Sequence, residues 1–491
     1  MVNLSDIANK GLIEKRLVKH LNKDSIVFKI NAKELITPNR FDICFKLSYL
    51  DMKERNLEFA KEIYSSHIEA FGLGEYSEPE KPNKKDLDTF LNEFELIYTK
   101  MKDYGFDDTD SVIPIAKDGS ILNGSHRVAC AIKLGIDVVC VKLDVIPSNY
   151  DFNFFKKRLV SWGLMLSSVE ALQRYKSNIH TAIIWPVAKN KALEVFKNNI
   201  SKIYLHESYD LNVKEGAGLI RQVYQGEKWL GSAYNNYEGA ANKASFCWGE
   251  KSNQLDMIIF EIQDNIIEMK EKIREQIGIG KHCIHISDYE NDSAMIWRSL
   301  LNKNFHTFLK NEIFLKSINK DNKLKILQQE LKEMKILPES FCIVGSMTLE
   351  LFGLRESRDI DLLIDSNCTC NIGENKIFDV DNFKFDLIGL SNMLIIYNPI
   401  YHFWYNDVKF LSIDVLYSYK AERYSLTQDF KDKADIEMIE HALDDSSSID
   451  INFIYGKLFI AKEKYKRKFK KNLKIFLSKI GLLELVKRIL R

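Results

Sequence analysis

The stretch IVGSMTLELFGLRESRDIDLLID, residues 343–365, limits the possible folds more than any other part of this sequence. FCIVG, residues 341–345, is an apolar run that ends in Gly345-Ser346; TLELFGL reads as a helix, and SRDIDLLID then resumes an alternation of period two. In a strand that period puts Asp359 and Asp361 on one face and Ile360 and Leu362 on the other. Two carboxylates a few ångströms apart repel, and one of them holds a proton more tightly than usual unless a divalent cation lies between them. Mg2+ shared between a carboxylate pair and nucleotide phosphates is the common solution. The Gly345-Ser346 turn adds a complementary part, because backbone without a Cβ, leading into a helix N-terminus, approaches a phosphate closely. A DxD alone also fits an exposed edge strand that carries aspartates by chance. The strand, the GS turn, the helix and the twelve-residue gap between Ser346 and Asp359 make a more specific pattern.

That pattern resembles the nucleotidyltransferase superfamily that includes DNA polymerase β and the aminoglycoside nucleotidyltransferases, over about residues 325–440. The resemblance implies a small mixed sheet flanked by helices, two metal ions, and in-line attack on the α-phosphate of a nucleoside triphosphate. It also implies a third carboxylate on a neighbouring strand. Asp386, in FKFDLIG and 25 residues beyond Asp361, is the preferred third catalytic and metal-binding residue; Asp414, in KFLSIDVLYSYK, is the alternative, with a helix N-cap as its ordinary role. Downstream, Lys420, Arg423 and Lys431 in YKAERYSLTQDFKDKADI resemble the K…R…KD…D helix pair of small superfamily members, whose basic residues face triphosphate; a solvated charged helix is the alternative.

A second informative stretch is IPIAKDGSILNGSHRVACAIKLGIDVVCVKL, residues 113–143. A strand, a DG turn, a short second strand and the loop Asn123-Gly124-Ser125-His126-Arg127 lead into a helix that Gly135 ends before a further strand. Cationic side chains at a helix N-terminus beside a glycine form an anion site by ordinary physics; a capped helix with a structural Arg is the plainer reading. This stretch resembles the ParB/sulfiredoxin-like fold, which includes free serine kinases, over roughly residues 24–146, and the resemblance implies that Asn123, Gly124, Ser125, His126 and Arg127 grip nucleotide phosphates. Ser125 stands where sulfiredoxins place a catalytic cysteine, so that chemistry is not expected. Asn123 stands where the kinases carry an acidic residue, so a kinase would draw its base from elsewhere, with Asp42 beside Arg40, or Glu69 and Glu75, as candidates.

The chain has 491 residues, too many for one ordinary core, and its net charge of +1, from 70 basic and 69 acidic residues, demands neither a polyanion nor a membrane globally. The expected architecture is α/β and α+β and multi-domain. A ParB/sulfiredoxin-like nucleotide-binding domain spans 1–150, a mixed α/β domain 151–322, a nucleotidyltransferase-fold domain 323–450, and a basic amphipathic tail 451–491. In the middle region, GLIRQVYQGEKWLGSAYNNYEG and GKHCIHISDYEND are rich in polar residues. His282, His285 and Asp288 are a weak metal candidate, since strand alternation in CIHIS sets the two histidines on opposite faces; Arg221, Lys228 and Lys281 are candidates to line a phosphorylated substrate's pocket.

Eight scattered cysteines without a CxxC fit a reducing compartment, and no signal-length or membrane-spanning apolar run is present, so a cytoplasmic location is expected. Cys368 and Cys370 are the only close pair, with poor spacing for a shared zinc. The final stretch holds twelve Lys or Arg against two Glu between apolar residues, and residues 462–491 are expected to lie peripherally on the inner face of an anionic membrane. A docked terminal helix and contact with nucleic acid are the alternatives; Tyr465, Phe469 and Phe476 are few for base stacking, and no specific nucleic acid partner is expected.

The expected activity is Mg2+-dependent nucleotidyl or phosphoryl transfer from a nucleoside triphosphate to a small-molecule or glycan-precursor acceptor, with an ATP-dependent kinase activity in the N-terminal domain as an addition. The tail and the two resemblances together imply bacterial capsule or lipopolysaccharide synthesis. A toxin-like nucleotidyltransferase that modifies tRNA or protein, and a non-enzymatic nucleotide-gated binding protein, are the other readings.

Overall fold

The computed structural model describes residues 2–76, 85–249, 252–312, 318–368, 378–380, 383–443 and 451–479. It is a mixed α/β chain with three sheets among the described residues, each drawn from one continuous stretch of sequence. In the first, β1 (Val27–Asn31), β2 (Ile113–Ile115) and β3 (Asp137–Lys142) stand in the order β1-β3-β2. β3 runs antiparallel to β1 and parallel to β2. The parallel pair needs a crossover, and the helix Ser125–Leu134 supplies it, starting at Gly124 and ending at Gly135, both with positive φ.

The middle sheet contains β4 (Ile179–Ile184), β5 (Lys202–Asp210), β6 (Gln254–Glu261) and β7 (Ile284–Ile286) in the order β5-β6-β4-β7, all antiparallel. Its central strand β6 is covered on both sides. Leu255, Met257 and Ile259 enter the main core, and Ile258 and Phe260 meet Phe196 and Ile273 from the helices Lys189–Asn199 and Ile266–Ile277. That double covering explains why DMIIFEI reads as a continuous apolar run rather than an alternating one.

The last sheet has β8 (Phe341–Val344), β9 (Ile360–Ile364), β10 (Phe378–Val380), β11 (His402–Tyr405) and β12 (Val408–Leu411) in the order β10-β9-β8-β12-β11. It is mixed: β8 pairs antiparallel with β9 and parallel with β12, while β10 runs parallel to β9. The charged helix expected near 323 spans Ile318–Glu333 and ends before Pro338, which opens a short turn into β8.

One buried apolar cluster continues through residues of all three sheets. Two joints carry it. Gly163 lies so close to the Ile400 side chain that a Cβ would meet its Cγ2 at 2.5 Å. Phe308, on the helix Lys303–Asn311, packs 5.5 Å from Phe403 and 5.3 Å from Phe352 between ring centroids. The helix therefore precedes the expected boundary at 322/323 yet belongs by packing to the last sheet.

The N-terminal region encloses an ion triad. The Arg40 guanidinium donates to both oxygens of Asp42 at 2.8 and 2.9 Å, and the Lys46 ammonium lies 3.1 Å from the same carboxylate, all three being buried. Burial pushes the Asp42 carboxyl up, but the two cations outweigh it and hold the group well below the usual range. Asp42 is thus a fixed anion and no candidate base. Removing it strands two buried cations: Asp42→Ala is expected to cost about 3–5 kcal/mol in chemical denaturation, whereas a loss below about 1 kcal/mol would show the triad to be well hydrated.

Candidate functional site: carboxylates at the edge of the last sheet

The sequence places Asp361 within β9 and Asp359 just before it, so their side chains leave the backbone on the same side. Three local features build this edge. Val344, the last residue of β8, is registered against Asp361, which brings Gly345 directly beside the carboxylate. Gly345 has φ +68° and ψ −144°, and a Cβ there would strike the Asp361 carboxylate and approach the Phe383 ring to 2.7 Å. Only glycine suits both the backbone and the space. Ser346 follows as the first residue of the helix Ser346–Phe352 and is half-buried.

The loop between that helix and β9 is fastened from below. Glu350, buried in the helix, accepts the Ser357 backbone N–H at 2.9 Å and the Lys323 ammonium at 2.8 Å; Lys323 also donates to the Ser357 carbonyl at 2.6 Å. This clamp fixes the chain two residues before Asp359. Glu350 and Lys323 carry no motif signal in the sequence, and only the fold brings them together.

The expected third carboxylate does not stand where the sequence suggests. Asp386 is not on a strand. It lies exposed in a 3-10 turn, Phe385–Ile388, because Phe385 is anchored between the rings of Phe383 and Tyr419 at 5.6 and 4.8 Å and Gly389, with φ +73°, closes the turn. The strand beside β9 is β10 instead, and its Asp379 is registered directly opposite Asp361. Asp414, the alternative, is exposed in the first turn of the helix Ile413–Thr427; its neighbour Ser412 is the N-cap, accepting from the Val415 N–H. Asp379 was within reach of sequence reasoning, since KIFDV is a short apolar run with one carboxylate. The competing FKFDLIG run obscured it.

Burial, together with repulsion from Asp359 and Asp379, pushes the Asp361 carboxyl up to about 6, against the opposing pull of Lys420 and Arg423. Lys420 and Arg423 of the basic helix thus lie within electrostatic reach of Asp361. Lys420 is buried and lies 3.2 Å from Asp432 and 2.7 Å from Asp435, Arg423 also engages Asp432, and Arg355 grips Asp435 through two bonds of 2.6 and 2.9 Å. Three cations meet two carboxylates in this network, leaving one positive charge in excess. Lys431 is exposed and outside it.

Among the described residues no three His, Cys, Asp or Glu side chains already stand in a metal-holding group. The donor chemistry nevertheless fits a hard divalent cation: Asp359 and Asp379 both repel the Asp361 carboxylate, which Lys420 and Arg423 offset only in part, and Gly345 lets that carboxylate pack against the turn.

The NGSHR loop is divided in purpose. The His126 Nε2 shares a 2.8 Å hydrogen bond with the Tyr64 hydroxyl and its ring packs 4.8 Å from Phe94, so His126 is turned into the protein rather than toward a ligand. Asn123 spends its side chain on Glu14 and on the Gly124 N–H. Gly124 has φ +88° and Arg127 folds over it, where a Cβ would come within 2.9 Å of the guanidinium. Arg127 forms no hydrogen bond or ion pair among the described residues. Ser125 opens the helix.

Cys44, Cys130, Cys140, Cys247, Cys283 and Cys342 are free thiols and buried, and Cys370 lies outside the described residues. No helix among the described residues is long and apolar enough to cross a membrane. No protein-family model matches the chain, and no curated protein or solved structure matches it.

The raised Asp361 pKa has a testable sign. The folded chain holds this proton more tightly than the unfolded chain, so the group's contribution to stability is full below pH 4 and is lost as pH rises toward about 6. In metal-free buffer, Asp361→Asn is expected to melt above wild type at pH 7.5, with the gap closing toward pH 4. A variant that melts lower at pH 7.5 would mean that the charged carboxylate is stabilising.

Proposed function

We propose that the chain is a Mg2+-dependent nucleotidyltransferase whose site is the edge formed by Asp359, Asp361 and Asp379. The observation that carries this reading is the register of Asp379 against Asp361 beside a glycine-only turn. Asp359, Asp361 and Asp379 would hold the cation, which when bound neutralises phosphate charge during in-line transfer. Gly345 lets the Asp361 carboxylate stand against the turn, and Ser346 opens the helix beside it. The excess positive charge shared by Arg355, Lys420 and Arg423 favours an anionic triphosphate at this edge, while Asp432 and Asp435 keep the three side chains in place. In the reaction an acceptor hydroxyl oxygen would bond to the α-phosphorus and release its proton to solvent, and pyrophosphate would depart with the electron pair of the broken P–O bond. Glu350 and Lys323 act at one remove, by positioning the loop before Asp359.

Pyrophosphate release, measured with each nucleoside triphosphate, Mg2+ and candidate acceptors, tests this assignment. Asp361→Ala and Asp379→Ala are each expected to lower the rate by at least about 100-fold, and Asp386→Ala by less than about 2-fold. Equal loss from Asp379→Ala and Asp386→Ala would return the third role to the turn, and no release from any triphosphate would remove the enzymatic reading.

A second binding function belongs to the N-terminal region. Arg127, which forms no side-chain hydrogen bond or ion pair among the described residues and stands beside a glycine and a helix N-terminus, favours phosphate or nucleotide there; the commitments of His126 and Asn123 narrow the grip to Arg127, Gly124 and Ser125.

The tail reading rests on the helix Ile451–Lys479. Tyr465, Phe469 and Leu473 follow one another at four-residue steps and are 72, 57 and 43% exposed, with exposed lysines at 462, 464, 466, 468 and 470 around them. We read this as a surface for an anionic bilayer, and a membrane-side position would suit an acceptor that is a surface-glycan precursor. Vesicles containing phosphatidylglycerol are expected to sediment the protein and neutral phosphatidylcholine vesicles not, with Phe469→Asp weakening the interaction about 10-fold. Equal binding to both vesicle types would exclude the electrostatic part.

A further inference from the structure

The two polar stretches of the middle region, far apart in sequence, converge on one cavity of about 510 Å³. Its walls come from the loop after the helix Val213–Val223, the helix Glu238–Trp248, the helix Ile266–Ile277, and the segment that leads into β7. His282 and His285 both line it. Strand alternation predicts opposite faces for them, but His282 lies in a 3-10 turn, Gly280–His282, and only His285 is on β7.

The charges in this cavity are poorly balanced. Lys243 and Lys281 have no carboxylate partner among the described residues, and Lys243, Lys281 and Arg274 lie close enough to repel one another. Asp288 is occupied by Lys270 at 2.8 Å and Glu271 by Arg274 at 2.6 Å; Asp292 and Glu227 complete the acidic groups at the wall, and repulsion from Asp288 combines with burial to push the Asp292 carboxyl toward its neutral form. Nε2 of His285, Nδ1 of His282 and Nε of Arg274 are buried without a hydrogen-bond partner among the described residues, behind the surface of the cavity. The unbalanced ammonium groups of Lys243 and Lys281 are what the cavity offers a ligand.

Part of the wall is aromatic, and Tyr224 meets His285 edge to face at 4.7 Å. Trp229 and Tyr224 meet edge to face at 5.2 Å, and the Lys243 ammonium stands over both rings at 5.7 and 4.9 Å. The wall is preformed: a Cβ at Gly239 would strike the Trp229 carbonyl, so that loop lies directly on the helix that carries Lys243.

We propose that this cavity binds a small molecule with a phosphomonoester on a ring, the phosphoryl oxygens taking Lys243, Lys281 and Arg274, and the ring resting beside Trp229 and Tyr224. A phosphoryl group suits these donors better than a carboxylate, because they approach from several elements and it offers three oxygens. The inference stands apart from nucleotidyl transfer at Asp361.

Isothermal titration of the full chain with glucose 1-phosphate, AMP and inorganic phosphate, and with glucose and adenosine as unphosphorylated counterparts, tests it. At least one phosphorylated ring compound is expected to bind with a Kd below about 1 mM, more tightly than inorganic phosphate and than its own unphosphorylated form. Lys243→Ala and Lys281→Ala should each weaken it about 10-fold, Trp229→Ala should weaken the ring compounds and not inorganic phosphate, and Asp386→Ala, outside this cavity, should leave all of them unchanged. Which ring compound binds distinguishes a sugar from a nucleotide. Absence of saturable binding by all three phosphates, or binding undiminished when Lys243 and Lys281 are both Ala, overturns the proposal. Binding lost in Asp361→Asn but kept in Lys281→Ala would move the ligand to the carboxylate edge and overturn it equally.

Discussion

Repulsion among carboxylates at the end of β9 is the interaction that the rest of the last sheet is arranged around. A chain that placed Asp359, Asp361 and Asp379 together for stability alone would be working against itself. The surrounding parts contain the repulsion without cancelling it. Lys420 and Arg423 act on Asp361 from the helix after the sheet, yet both are tied to Asp432, and Arg355 is tied to Asp435. The network therefore tempers the carboxylates through its field while its own hydrogen bonds stay internal. Such a site is held in tension by packing and pairing elsewhere, which is the usual condition of groups kept for chemistry rather than for folding.

Much of this was legible in the sequence, and the reasons are local. Period-two alternation is enough to set Asp359 and Asp361 on one side, and Gly345 before a short helix announces a turn that tolerates no side chain. In the N-terminal region the strand-turn-helix order around Gly124 and Gly135 follows from the same punctuation. What sequence cannot supply is which of two apolar, acid-bearing runs becomes the neighbouring strand. KIFDV and FKFDLIG carry similar local signals; Phe385 settles the matter by packing on Tyr419, a residue of the following helix. The decision is tertiary, and local propensity does not contain it.

The same limit applies to His126 and to the middle region, in opposite directions. The GxHR pattern draws attention to His126, but the Tyr64 hydroxyl and the Phe94 ring claim it from elsewhere in the chain. His282 and His285 look mismatched along a strand, and a single turn of 3-10 helix brings them to one wall. In both cases the residue types were informative and their directions were not, because direction is fixed by partners far away in sequence.

The helix Lys303–Asn311 bears on how this protein can be taken apart. Its Phe305 and Phe308 are core residues of the last sheet, and Gly163, much earlier, seats Ile400. A fragment starting near 323 would leave Phe403 and Phe352 facing water where Phe308 had been, and one ending there would expose the other half of the same contact. The three regions are thus separable on paper, by their sheets, but not at the bench by cutting the chain at that seam. Assigning activities among them is a task for side-chain replacement within the intact polypeptide.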